Sequence, residues 1–416
     1  MIRTQTVRLY PTPKQAVILD EYLEVARLTY NWALDLKLLA WGNNKINLSE
    51  YDLAGYLTWL RSWNKQFKSC SQTIERDAIH RVDLAYTGFF RRLKQGKKPG
   101  FPRFKSKDRY RSMVATSTGQ TITESGRIRV ANIKQPIKCR GLQSIVGKIK
   151  QLRVLKKVNK WFAQLVIDDA LPIPPKILVN SAIGIDVGLN HFAATTDGEL
   201  IDNPRIYRRL ERQLRRISQN VSRKVKGSSN RRKTVTKLQL VHEQITNTRK
   251  DFLHKLSREF VNCYDLIAVE DLDIAKMIKG RFAKSISDAS WATFFNQLSY
   301  KAGSAGKTVM KVDPRGTTQL CSFCERVVPK DLTVRVHSCI CGHVEDRDIN
   351  AARNILFRAV LQSTHGRWAQ ACGEVVRLTE SGAQAPDSLS KPLRSRNCSN
   401  ADYIHHFDQH RHLPPC

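Results

Sequence analysis

The sequence predicts an α/β protein organised around a sheet whose strands end in acids. Three observations lead there. Apolar strand-like runs end in a carboxylate at SAIGIDVGLNHFAATTDGEL (181–200) and again at DLIAVEDLDI (265–274). A helical pattern, EDRDINAARNILFRAV (345–360), brings a further acid into its first turn. Long helical stretches separate these segments, the alternation expected of a sheet covered by helices. At 416 residues with 41% apolar content, the chain is long enough for two to four domains with a sizeable core.

Residues 1–10 alternate like a strand, with Val7 and Leu9 set against Arg8 and Tyr10, until Pro11 and Pro13 end it. Residues 14–93 are helical. Leu19, Leu23, Ala26 and Tyr30 recur at three and four residues, as do Trp32, Leu36 and Leu39. Trp41, Trp59 and Trp63 add aromatic bulk, read either as helix-packing core or as rings that stack on exposed bases. The Gly-, Pro- and Lys/Arg-rich segment GKKPGFPRFKSKDRYRS (96–112) interleaves basic residues with Phe101, Phe104 and Tyr110. It reads as a domain junction that grips a phosphate backbone through Arg103, Lys105, Lys107, Arg109 and Arg111, with a solvated basic loop as the plainer alternative. From 113 to 174 the short stretches IRVANI, KIKQLRVLKK and KWFAQLVID predict a small β-barrel or sheet, to which residues 1–10 can add a strand. Residues 205–250 carry 15 Lys and Arg. Two apolar stripes (Leu210, Leu214, Ile217; Leu238, Val241, Ile245) predict two helices joined near 227–230, facing nucleic acid.

In the first acid-bearing strand, alternation puts Asp186 on the face of Gly184 and Gly188, while Ile183, Ile185 and Val187 point into the core. Two glycines beside a carboxylate are read as room for a large substrate backbone. Glu270 shares its face with Ala268, again a small neighbour. In the helix, Asp346 is placed as N-cap, Asp348 in the first turn, and Ala351 and Ala352 leave its side uncrowded. Each acid alone has a bland explanation in strand-end chemistry or helix-dipole compensation. Together, Asp186, Glu270 and Asp348 form a set in which two divalent cations, Mg2+ or Mn2+, can stabilise the attacking and leaving oxygens of a phosphodiester displacement.

Ten cysteines are present, and four of them cluster as C-x2-C (Cys321, Cys324) and C-x-C (Cys339, Cys341). That spacing predicts one structural Zn2+ held by four thiolates as a ribbon, with His337 or His343 as alternative ligands because the second knuckle is short. The ribbon is an insertion between the second and third acids.

Lys and Arg number 70 against 37 Asp and Glu, a formal charge of +33. Such an excess implies a polyanionic partner. The sequence shows no basic amphipathic membrane helix, no run of 18 apolar residues and no apolar leader, so nucleic acid is expected rather than a membrane, in the cytoplasm.

The segments GIDVGLN, AVEDL, VDPRGTTQLCSFC and CGHVEDRDINAARNI, with the opening VRLYPTPKQ and the GFPRFKSK stretch, resemble the TnpB proteins of insertion-sequence transposons, relatives of the type V CRISPR effector nucleases. The resemblance covers roughly residues 1–360. It implies an RNase H-like (RuvC) nuclease domain (179–314 and 345–372) with a zinc-ribbon insertion (315–344) that binds target nucleic acid. It also implies a wedge-like β-barrel (1–13 and 96–178) and a helical recognition domain (14–95), leaving 373–416 as a tail expected to be disordered. The implied activity is RNA-guided cutting of double-stranded DNA beside a short adjacent motif, with a guide RNA from the transposon end. The family's catalytic set falls on Asp186, Glu270 and Asp348. Glu325 departs from the pattern, standing where Gly commonly follows the first knuckle. A nuclease-inactive RNA-guided regulator and a strand-joining transposase are the competing readings. The intact acids argue against the first.

Overall fold

A computed structural model describes residues 2–115, 121–142, 147–170, 172, 174–331 and 333–363. The tail called at 373–416 and the end of the nuclease segment beyond 363 lie outside the described residues. The chain divides into two compact units, 1–172 and 173 onward.

The first unit opens with strand β1 (Ile2–Tyr10) and the 32-residue helix α1 (Pro13–Asn44). Thr12 caps α1 in a reciprocal capping box with Gln15, Pro13 fills the first turn, and Lys45 closes the helix in a left-handed conformation. Helices α2 (Glu50–Trp63), α3 (Lys65–Lys68) and α4 (Gln72–Lys94) follow. A sheet of order β2-β4-β5-β1-β3 combines β2 (Ser112–Val114), β3 (Lys138–Arg140), β4 (Lys148–Lys157) and β5 (Lys160–Asp168) with β1. The first ten residues thus do add a strand, pairing with β5 from Ile2↔Asp168 to Leu9↔Trp161. One continuous core joins helices and sheet: Leu19, Leu34, Leu53 and Ile79 meet Val7, Leu152 and Leu165.

Two expectations fail here. IRVANI is not a strand; Ile128 makes only isolated bridges to Ile122 and Ile137, because Asn132 turns the chain with a positive φ of 62°. Trp41, Trp59 and Trp63 are not core, being 56%, 64% and 58% exposed. The buried side of α2 is taken by Leu53, Leu57 and Leu60, so of the two readings of these rings helix-packing core is the one that fails.

The second unit holds β6 (Ala182–Val187), β7 (His191–Thr195), β8 (Leu200–Asp202), α5 (Ile206–Ser222), α6 (Ser229–Cys263), β9 (Leu266–Glu270), α7 (Ile274–Met277), α8 (Ala283–Ala289), α9 (Trp291–Ser304) and β10 (Thr308–Val312). A two-stranded ribbon, β11 (Val336–Ser338) with β12 (Val344–Asp346), leads into α10 (Arg347–Ser363). The sheet order is β10-β9-β6-β7-β8. β6, β7 and β8 form an antiparallel meander, while β9 and β10 run parallel to β6. This is the RNase H-like arrangement. α5 and α6 make the expected pair, joined through 223–228, with Leu214, Val241 and Ile245 as its small core.

The central strand β6 is buried on both faces. Ile183, Ile185 and Val187 pack with Leu253 and Phe260 of α6 and Phe294 and Leu298 of α9. The opposite face carries α10. A Cβ on Gly184 would lie 2.1 Å from the Ala352 carbonyl oxygen and 2.9 Å from Leu356 Cβ. The glycine therefore makes room for the protein's own helix, not for substrate, which corrects the sequence reading. Ala268, beside Val312, Ile355 and Ala359, lies under the same helix. Ala351 and Ala352 are fully buried there, so they are packing residues rather than open space.

Gly184→Ala is expected to cost about 3 kcal/mol, the upper part of the range for overpacking, since backbone rather than a flexible side chain blocks the methyl group. Gly55→Ala, in α2 with no neighbour within 4 Å, should raise stability slightly. Urea unfolding of both variants checks the pair. Equal effects would remove the steric account.

Candidate active site and metal centre

Parallel pairing sets the first two acids side by side. Ile185 stands opposite Val269, and one residue further along each strand come Asp186 and Glu270. Both are 8% exposed. The third acid arrives with α10. Asp346 Oδ1 accepts from the backbone N–H of Asp348 at 2.8 Å and of Ile349 at 3.3 Å, the N-cap expected from the sequence. Asp348 then lies over the turn after β6, its Oδ2 3.9 Å from where a Cβ on Gly188 would stand. All three predicted acids therefore meet at the carboxyl end of β6 and β9.

Burial, then the Glu270 and Asp348 carboxylates, push Asp186 well above the ordinary carboxylate range, opposed by Arg347. Burial also raises Glu270, against a hydrogen bond from Thr317 and the charge of Arg358. Asp348 is held between two guanidinium groups. Arg347 donates to its Oδ1 at 3.1 and 3.2 Å, and Arg335 Nη1 lies 3.9 Å from its Oδ2. The sequence reading missed these arginines, and also Thr317, whose hydroxyl donates to Glu270 Oε1 at 2.7 Å. Arg335 immediately precedes β11 and Thr317 lies in the loop after β10, so no local spacing could connect these two to the acids.

The four ribbon cysteines place one sulfur each within 4.8 Å of one another, the one such group of His, Cys, Asp or Glu among the described residues. Cys321 and Cys341 sulfurs are 3.8 Å apart, and those of Cys324 and Cys339 are 3.5 Å apart. That is the donor set of a tetrahedral thiolate centre. Neither alternative histidine belongs to that group: His337 Nδ1 meets Lys330, and His343 Nε2 meets Ser322 Oγ and Glu345. Glu325 has φ 58°, a left-handed position that explains why glycine suits this place better.

In the first unit, the basic segment lines a cleft of about 390 Å³ with Tyr30, Arg91, Arg92, Phe101, Arg103 and Lys105. Its main chain is pinned to α1: Lys105 O accepts from Arg27 and Asn31, and its N–H donates to Asn31 Oδ1 at 2.7 Å. Lys105 Nζ sits over the Tyr30 ring at 5.5 Å. Arg103, Lys107, Arg109 and Arg111 are exposed. Among the described residues no helix is long and apolar enough to cross a membrane.

Comparison with known proteins agrees with this architecture. The chain is 32% identical over 378 residues to a Streptomyces pristinaespiralis protein named "Putative RNA-guided DNA endonuclease", covering 89% of this chain and 90% of the relative. The chain belongs to the RNA-guided DNA endonuclease family. A second member, InsQ of Escherichia coli (strain K12), is 28% identical over 388 residues, covering 88% and 90%. The CRISPR-associated endodeoxyribonuclease Cas12f1 of Sulfoacidibacillus thermotolerans is 30% identical over 221 residues, 47% of this chain and 50% of that one. Family models match at 164–281 (probable transposase), 291–355 (Cas12f1-like, TNB domain) and 1–45 (helix-turn-helix domain). Over that last match, β1 is followed by the single uninterrupted helix α1 rather than by two helices.

Cys324→Ser is expected to lose bound zinc and loosen the ribbon, measured by elemental analysis and thermal unfolding. Stoichiometric zinc at unchanged stability would contradict a four-thiolate site. A second test concerns the acids. A carboxyl whose pKa is raised by folding loses stability as pH rises from the ordinary carboxylate value through the raised one. In buffer free of added divalent cations at pH 7.5, Asp186→Asn should therefore melt higher than the native protein, and the gain should shrink toward pH 5. A variant that melts lower at pH 7.5 would show that the charge is already compensated.

Proposed function

We propose that this chain is an RNA-guided DNA endonuclease that hydrolyses phosphodiester bonds with Asp186, Glu270 and Asp348 as its catalytic acids. The observation that carries the reading is the meeting of three carboxylates in a chain of charge +33 whose full-length relatives are named for this activity. Buried acids that raise one another's pKa are costly, and such clusters mark sites of function. Their oxygens suit hard divalent cations, Mg2+ or Mn2+, and the four thiolates suit one structural Zn2+. When bound, the hard cations supply charge neutralisation at the phosphate and activation of water.

The protein's own residues do the rest. Asp186 and Glu270 present fixed oxygens from strand ends, and Asp348 completes the set from a helix start. Arg335 and Arg347 orient Asp348 and add positive charge where a scissile phosphate must approach. The basic cleft, with Arg103, Lys105, Lys107, Arg109 and Arg111, holds phosphate backbone without reading sequence. Guide RNA pairing reads the target, while the protein senses duplex shape and an adjacent motif. In this reading the first unit supplies the wedge-like and recognition parts, and the ribbon contacts target nucleic acid.

Replacing Asp186, Glu270 or Asp348 with Ala should reduce plasmid cleavage by at least a thousandfold with RNA and target binding retained. Changing the guide segment of the co-purified RNA should move the cut. Sequence-specific cutting by RNA-stripped protein would overturn guidance, and full cutting by the Asp348 variant would overturn its assignment.

A further inference from the structure

Glu270 does not hold its orientation alone. The Thr317 hydroxyl has two acceptors in reach, Glu270 Oε1 at 2.7 Å and the Pro314 carbonyl at 3.1 Å. The carboxylate is the nearer, and a charged acceptor makes the stronger bond. Thr317 is 2% exposed, so this hydroxyl is shielded from competing water.

The loop bearing Thr317 is itself gripped by one row of side chains on α10, spaced four residues apart. Asn354 Nδ2 donates to the carbonyls of Thr317 and Leu320, both at 2.8 Å. Asn350 Nδ2 donates to Leu320 O at 2.8 Å, and Asn350 Oδ1 accepts from the N–H of Ser322 at 2.9 Å. Arg358 donates to the carbonyls of Asp313 at 2.7 Å and Arg315 at 2.8 Å. Asn350 is fully buried and Asn354 is 6% exposed. Ser322 lies inside the first cysteine knuckle. A continuous set of hydrogen bonds thus runs from the thiolate cluster, through α10, to the second acid.

We propose that Thr317 is a positioning residue for Glu270, and that Asn350 and Asn354 set its place by fixing the loop that leads into the ribbon. The inference rests on the proposed role of Glu270 in holding divalent cations. Groups that orient a ligand change cation affinity about 10–100-fold when removed. Thr317→Val keeps shape and volume but deletes the donor, while Thr317→Ser keeps it.

The experiment uses the full protein–RNA complex and follows free Mn2+ by electron paramagnetic resonance, together with cleavage against Mn2+ concentration. Thr317→Val should raise the Mn2+ midpoint about tenfold in both readouts, with zinc content and melting temperature unchanged, and Thr317→Ser should restore it. Glu270→Gln serves as the reference for loss of the site. A Thr317→Val midpoint within twofold of the native value, while Glu270→Gln has lost binding, overturns the positioning role alone. Native and Glu270→Gln proteins that bind Mn2+ alike would overturn the cation role of Glu270, and the inference with it. Should Thr317→Val melt early, Thr317→Ala repeats the comparison, and an unshifted midpoint there is equally decisive against the proposal.

Discussion

The contact on which the second unit depends is the approach of α10 to β6 at Gly184. A strand and a helix backbone come close enough there to exclude a single methyl group. Everything at the acid end is set by that closeness. Asp348 lies one helical turn before Ala352, so seating Ala352 on Gly184 carries Asp348 to the end of the strand that presents Asp186. The small side chain of Ala268 extends the same seat toward β9. The sheet thus has a deep apolar layer under α6 and α9 and a shallow one under α10.

A chain this basic still concentrates negative charge at one point. The cost is moderated by the arginines placed around it. Arg347 and Arg335 both reach Asp348, and the backbone N–H of Arg347 donates to Arg335 O at 2.7 Å, so the two are fixed relative to one another. Among the described residues no arginine is hydrogen-bonded or ion-paired to Asp186, and burial with the neighbouring carboxylates holds it well above the ordinary carboxylate range.

Much of this was legible in the sequence. The acids were found because strand alternation and an N-cap pattern fix which face each one shares, and those rules act within ten residues. The cysteine spacing and the α5–α6 pair follow from equally local signals. The glycine beside Asp186 was noticed but assigned the wrong visitor, since a missing side chain announces close approach without saying by what. For Trp59 and Trp63 the core reading failed, because aromatic bulk in a helical stretch does not say which face is buried. The roles of Thr317, Asn354, Arg335 and Arg347 were not read from the sequence, nor was the grip of Asn350 on the loop. Apart from Arg347, which adjoins Asp348 in sequence, their partners are backbone groups and acids brought near only by the fold, and such pairings leave no periodic trace.

The placement of α10 also orders events during synthesis. Asp186 and Glu270 are translated well before Asp348, on the order of ten seconds at ordinary elongation rates for the first of them. Through that interval the sheet lacks the helix that covers Gly184 and Ala268, and the acid cluster lacks its third member. A growing chain, or one broken before α10, has Asp186 and Glu270 without Asp348. Its uncovered apolar sheet face would mark it for proteolysis. The order of the elements thus makes the acid cluster one of the last features of the described chain to be completed.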